Sequence, residues 1–119
     1  MDRNITRINY EADSRASMIG IDLTNISRFA TMRASMRARI AQRFHHDYTD
    51  PRQLAKWWAC AEAVHKCRGS SPDWSQTQIL FPQGSAPQYK GNESIQLSLS
   101  HEGDLVTAVA LLCPAVKTA

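Results

Sequence analysis

The 119-residue sequence predicts an α+β domain in which two main helices pack on a mostly antiparallel sheet. Apolar residues recur at helical spacing between Ile26 and Val64. After Gln76 the period changes to two. The last two apolar runs are separated only by His101-Glu102-Gly103-Asp104, a turn of the kind that closes an antiparallel hairpin. Helices gathered on such a sheet are a stable way to bury the apolar side of both.

Residues 1–16 show no clear period and read as an arm or short strand. Residues 17–113 read as a single domain, and 114–119, from Pro114, as a tail. Ser17–Leu23 reads as a short buried strand with Asp22 at its end, a carboxylate that a core would not choose. Thr24 or Asn25 is suited to cap a helix. Its apolar stripe would be Ile26, Phe29, Met32, Met36, Ile40 and Phe44. Asp50-Pro51 predicts the start of a second helix, a capping side chain followed by proline in the first turn. Leu54, Trp57, Trp58, Ala61 and Val64 form its buried side, and Gly69 its stop. A polar loop, Ser70–Gln76, leads to short strands at Thr77–Phe81 and Gln88–Lys90. Ile95, Leu97 and Leu99 then alternate with Gln96, Ser98 and Ser100 in a half-buried strand, and Leu105–Leu112 is the last.

Length implies one domain, and 43% hydrophobic with 21% charged residues is ordinary for a globular protein. No run approaches the ~18–20 apolar residues that span a bilayer. The first nine residues lack the apolar core of a signal peptide, so a cytoplasmic location without a membrane partner is expected. Cys60, Cys67 and Cys113 form no CxxC or zinc-ligand spacing, and Cys60 and Cys67 read as small buried hydrophobes. The net charge of +3 is unevenly spread. Between Leu23 and His46 there is no acid, while Arg28, Arg33, Arg37, Arg39 and Arg43 all fall there. Such a one-signed stretch suits a phosphate-bearing ligand, an acidic protein or nucleic acid. Nucleic acid is the weakest of the three, because aromatics are not interleaved with the arginines. The adjacent His45 and His46 would not converge on a metal from one helix.

Asp22, the pair Glu62 and Lys66, and the group Ser98, Ser100 and His101 are polar where a core would not choose them. Glu62 and Lys66 are four apart and share a helix face, which by itself suggests a surface salt bridge. If Asp22 and Glu62 meet, they suit Mg²⁺, which takes one or two carboxylates and completes its shell with phosphate oxygens and water. Lys66 would then reach a phosphate or act as a base. Spacing alone does not bring these groups together.

Ile19-Gly20-Ile21-Asp22-Leu23, Trp58-Ala59-Cys60-Ala61-Glu62-Ala63-Val64-His65-Lys66 and Ser98-Leu99-Ser100-His101-Glu102 resemble, in this order, the three motifs of the 4′-phosphopantetheinyl transferases. Their order and the short chain are similar to the compact holo-acyl-carrier-protein synthase type, over roughly residues 18 to 112. The resemblance implies the fold of that family. It also implies Mg²⁺-dependent transfer of the 4′-phosphopantetheine arm of coenzyme A to a serine of an acyl or peptidyl carrier protein, releasing 3′,5′-ADP. By the same resemblance Asp22 and Glu62 would hold the metal, and Glu62 and Lys66 would be catalytic. Lys66, Gly69, Ser70, Ser100 and His101 would line the coenzyme. Arg28, Arg33 and Arg37 would dock an acidic carrier. Compact members are homotrimers, which implies Asp22 and Glu62 from one subunit beside His101 from its neighbour.

The sequence departs from the pattern at three places. Ala61 stands where the motif has a lysine, and Trp57 where compact members often carry a basic residue. Thr24 stands where the larger members have a second acid. A lost charge-assisted phosphate contact costs ~1.5–3 kcal/mol. The alternative reading is therefore a non-catalytic homologue that binds a carrier protein or a synthase partner.

Overall fold

The structure is a computed structural model, and it describes residues 18–69, 78–91 and 94–113. The expected arm at 1–16, the loop Ser70–Gln76 and the tail from Pro114 lie outside the described residues. The elements are β1 (Met18–Asn25), α1 (Ser27–Ala30), α2 (Ala34–Arg43), α3 (Pro51–Arg68), β2 (Gln78–Leu80), β3 (Gln88–Lys90), β4 (Ser94–Glu102) and β5 (Leu105–Cys113). The strands form one sheet in the order β1-β5-β4-β3-β2, with every neighbouring pair antiparallel. This is the expected α+β architecture.

The long helix α3 is the centre of the domain. Asp50 caps it by accepting a hydrogen bond from the Gln53 N–H at 3.1 Å, and Gly69 ends it in the left-handed region at φ 69°. Leu54, Trp57, Ala61 and Val64 are buried as expected, and so are Ala55, Ala59, Cys60, Ala63 and Cys67. Trp58 is only half-buried and lies against Phe29, with ring centroids 5.9 Å apart. The small residues let α3 lie close on β1 and β5. Gly20 sets that approach, because a Cβ there would collide with the Ala63 carbonyl oxygen and the Cys67 backbone nitrogen. Burial pushes the Cys60 thiol up to about 12, so it is an inert core group.

The first helical region departs from expectation. One continuous stripe from Ile26 to Phe44 was predicted, but the helix breaks between Thr31 and Arg33. The Arg37 guanidinium fills the break, donating to the carbonyls of Phe29 at 3.3 Å, Met32 at 2.6 Å and Thr49 at 2.9 Å. Phe29 is buried, whereas Met36 is 45% exposed. Neither Thr24 nor Asn25 caps a helix. Both continue β1, pairing with Val106 and Leu105. The cap comes instead from the hairpin between β4 and β5, where Asp104 accepts from the Ser27 N–H and Oγ, each at 2.8 Å. That turn is only Gly103-Asp104, because His101 and Glu102 pair with Val106 and Leu105. His46 packs its ring against Trp57 and Tyr48, and burial lowers its pKa to about 4.

Candidate active site

Residues along β1 alternate sharply in environment. Gly20, Asp22 and Thr24 face α3 and are buried, while Ile19, Ile21 and Leu23 point away and are 63%, 54% and 67% exposed. The strand continues to Asn25, so Asp22 lies within it rather than at its end.

Asp22 is held from several sides. Its side chain is 11% exposed, and Oδ1 forms an ion pair with Lys66 Nζ at 3.0 Å. The Thr24 hydroxyl donates to Oδ2 at 2.7 Å. Lys66 also donates to the Ile21 carbonyl at 3.1 Å, and the Thr107 hydroxyl donates to the Asp22 carbonyl at 3.1 Å. Spacing suggested that Lys66 would pair with Glu62; it pairs with Asp22. The cause is burial, since an almost enclosed carboxylate is far more costly to leave without a counter-charge than one in contact with water. Glu62, one turn before Lys66, is half-buried and has no hydrogen-bond or ion-pair partner among the described residues.

The register places the serine-rich strand. Asp22 and Leu99 both pair with Ala108, from opposite sides of β5. His101 is two residues further along β4, so it shares the helix-facing side with Asp22. Strand spacing and rise put their Cα atoms roughly 12 Å apart. Ser98 and Ser100 pair with Val109 and Thr107 and point to the opposite face, beside the outward residues of β1. Ser100 and His101 of one chain therefore serve different sides of the sheet. Gly69 lies at the end of α3, and Ser70 is outside the described residues.

Of the three arginines singled out, Arg28 is exposed and sits 4.6 Å from the Trp58 ring centroid, in cation–π contact. Arg33 is exposed at the start of α2, and Arg37 is tied into the helix break. The structure adds residues that spacing could not supply: Gly20, the Thr107 hydroxyl, and Thr24 as a partner of Asp22. Gly20 had a signal, because glycine inside a strand often marks the close approach of another backbone.

Asp22 and Glu62 are residues of a type that could hold a hard divalent cation. Asp22 Oδ1 already attracts one cation, the Lys66 ammonium, and Glu62 offers a second carboxylate from the same helix face. Among the described residues no three His, Cys, Asp or Glu side chains gather as a ligand set. Water and phosphate oxygens would complete the shell, as Mg²⁺ prefers. No helix among the described residues is long and apolar enough to cross a membrane.

No family model matches the chain. The holo-[acyl-carrier-protein] synthase of Mycoplasma mobile is 31% identical over 100 residues, covering 79% of this chain and 87% of that protein. Among solved structures, the acyl carrier protein synthase of Mycobacterium tuberculosis is 26% identical with a TM-score of 0.59, over 82% of this chain and 97% of that one. The holo-[acyl-carrier-protein] synthase of Helicobacter pylori, solved with coenzyme A, is 20% identical with a TM-score of 0.68, over 80% and 99%. The fold and a relative matched over most of both chains agree with the three sequence motifs, and the chain belongs to the holo-[acyl-carrier-protein] synthase family of 4′-phosphopantetheinyl transferases.

Proposed function

We propose that this chain transfers 4′-phosphopantetheine from coenzyme A to a serine of an acyl or peptidyl carrier protein, releasing 3′,5′-ADP, with Mg²⁺ held by Asp22 and Glu62. One observation carries the reading: a nearly buried carboxylate on β1 meets the lysine of the same α3 face that carries Glu62. The coenzyme A complex of the Helicobacter pylori relative supports coenzyme A as the substrate. Bound Mg²⁺ would neutralise charge on the coenzyme pyrophosphate during transfer.

The side chains divide the remaining work. The Asp22 carboxylate is fixed by one hydroxyl and one ammonium partner, so its direction is set before substrate arrives. The Lys66 side chain is 49% exposed, so its ammonium can turn from Asp22 to the transferred phosphate. The serine oxygen bonds to phosphorus as the phosphorus–oxygen bond to 3′,5′-ADP breaks, the serine proton passes to water, and the Lys66 ammonium holds the phosphate oxygens during the transfer. Arg28 and Arg33 offer exposed cations to an acidic carrier, and Arg37 holds the helix break that aims them. The outward face of β1, with Ile19, Ile21, Leu23 and Leu105 of β5 exposed, supports a homotrimer in which neighbours cover it and supply His101 to each other's sites.

The competing reading, a homologue that binds a carrier without modifying it, rests on Ala61. That position is 1% exposed, inside the core, so the motif's missing lysine has no room there as a free cation. Intact-protein mass spectrometry separates the two. With coenzyme A and Mg²⁺, an apo carrier protein should gain one phosphopantetheine. No gain across several carriers that still bind would favour the non-catalytic reading.

A further inference from the structure

The carboxylate of Asp22 is unusual in having both oxygens engaged by partners of different kinds. Thr24, 4% exposed, is locked in the β1–α3 layer and donates to Oδ2. Lys66 reaches Oδ1 from a half-exposed side chain and also rests on the Ile21 carbonyl. Removing Thr24 from its oxygen would require repacking the strand; removing Lys66 requires only rotation of a flexible stem into water. Glu62, on the same face, has no hydrogen-bond or ion-pair partner among the described residues while Lys66 is committed to Asp22.

Resting on the reading of Asp22 as a metal ligand, we infer that Thr24 is a positioning residue that stays on Oδ2, while Lys66 is a resident cation on Oδ1 that gives way when a divalent cation binds. The Thr24 hydroxyl fixes the carboxylate plane, so that Oδ1 is presented toward α3. The Lys66 ammonium keeps that oxygen's charge compensated beforehand, since an enclosed carboxylate without a counter-charge is strongly unfavourable. A cation at Oδ1 takes over the compensation. Lys66 is then free on the face it shares with Glu62, where the phosphate is expected. The two partners of one carboxylate thus have opposite effects on metal affinity: Thr24 raises it by orientation and Lys66 lowers it by competition.

Direct titration of the full chain with Mn²⁺, followed by electron paramagnetic resonance, tests this without any turnover. Thr24→Val, nearly isosteric but without the hydroxyl, is expected to weaken Mn²⁺ binding about tenfold. Thr24→Ser, which keeps the hydroxyl, is expected to stay within about twofold of the parent. Lys66→Met is expected to bind about threefold to tenfold more tightly, and Lys66→Arg, which keeps the charge, no more tightly than the parent. Thermal unfolding provides the second readout: Lys66→Met should melt lower in EDTA and gain more from added Mg²⁺ than the parent does. Parent-like affinity in Thr24→Val, equal loss in Thr24→Ser, or unchanged or weaker binding in Lys66→Met would overturn the inference. Mn²⁺ binding that survives Asp22→Ala would overturn the metal reading itself, a different failure recognised by that variant alone.

Discussion

The two faces of β1 have opposite characters although their residues alternate along one eight-residue strand. On the inner face Gly20 admits α3, and Asp22 and Thr24 are buried and hydrogen-bonded. On the outer face Ile19, Ile21 and Leu23 are large, apolar and exposed. The inner face of β1 is packed within one chain: Asp22 and Thr24 have partners, and the helix is in place. The outer face is not, because exposed isoleucines and leucine forgo the stabilisation that burial of such side chains normally brings. A strand with one packed face and one exposed apolar face links the geometry of the candidate site to the proposed homotrimer.

Substitutions can test that contrast directly. The largest effect is expected on the inner face: Asp22→Asn or Glu62→Gln should reduce carrier modification on the order of a hundredfold or more, measured by the rate of carrier mass gain. An active Asp22→Asn protein would break the assignment of chemistry to this face. Next, Gly20→Ala places a methyl group against the Ala63 carbonyl and the Cys67 nitrogen, which are backbone atoms that cannot rotate away. Overpacking of this kind costs about 1–3 kcal/mol, so the melting temperature should fall by at least several degrees. On the outer face, Ile21→Lys should leave the single chain's stability within about 0.5 kcal/mol but dissociate the assembly, read by light scattering after size-exclusion chromatography. A protein of unchanged size would show that this face is not the contact. The smallest effect should come from Thr107→Val, which removes one donor to the Asp22 carbonyl. It should cost about 0.5–1.5 kcal/mol in denaturant unfolding and leave the assembly intact.

What the sequence could reveal depended on how far apart the interacting residues lie. Helix α3 was legible because its signals are local: Asp50 and Pro51 at one end, Gly69 at the other, and apolar residues at helical spacing between. The β4–β5 hairpin was legible for the same reason, through alternation and a glycine turn. The first helical region was not. Its stripe has the right spacing, but Arg37 and Thr31 satisfy carbonyls that a continuous helix would use, and the chain turns at Met32-Arg33. Thr24 looked like a helix cap because strand continuation to Asn25 depends on pairing with β5, eighty or more residues later. At the candidate site, Asp22, Glu62 and Lys66 were each visible as polar groups out of place. That Lys66 would choose Asp22 over Glu62 depends on relative burial, which is a property of the folded layers. The division of Ser100 and His101 between two faces followed from strand alternation once the register was known.

The Asp104 cap of α1 also sets a timetable. Ser27 and the carboxylate that fixes it are 77 residues apart. At a synthesis rate of ~5–20 residues per second, the arginine-rich segment leaves the ribosome's decoding centre roughly 4–15 seconds before its anchor is made. Helices of so few residues do not persist alone. Until the final hairpin closes, this stretch is a basic chain without a fixed direction. The surface proposed to receive the carrier is thus among the last parts of the domain to be oriented, and ribosome-bound chains halted before residue 104 would carry the arginines without the shape.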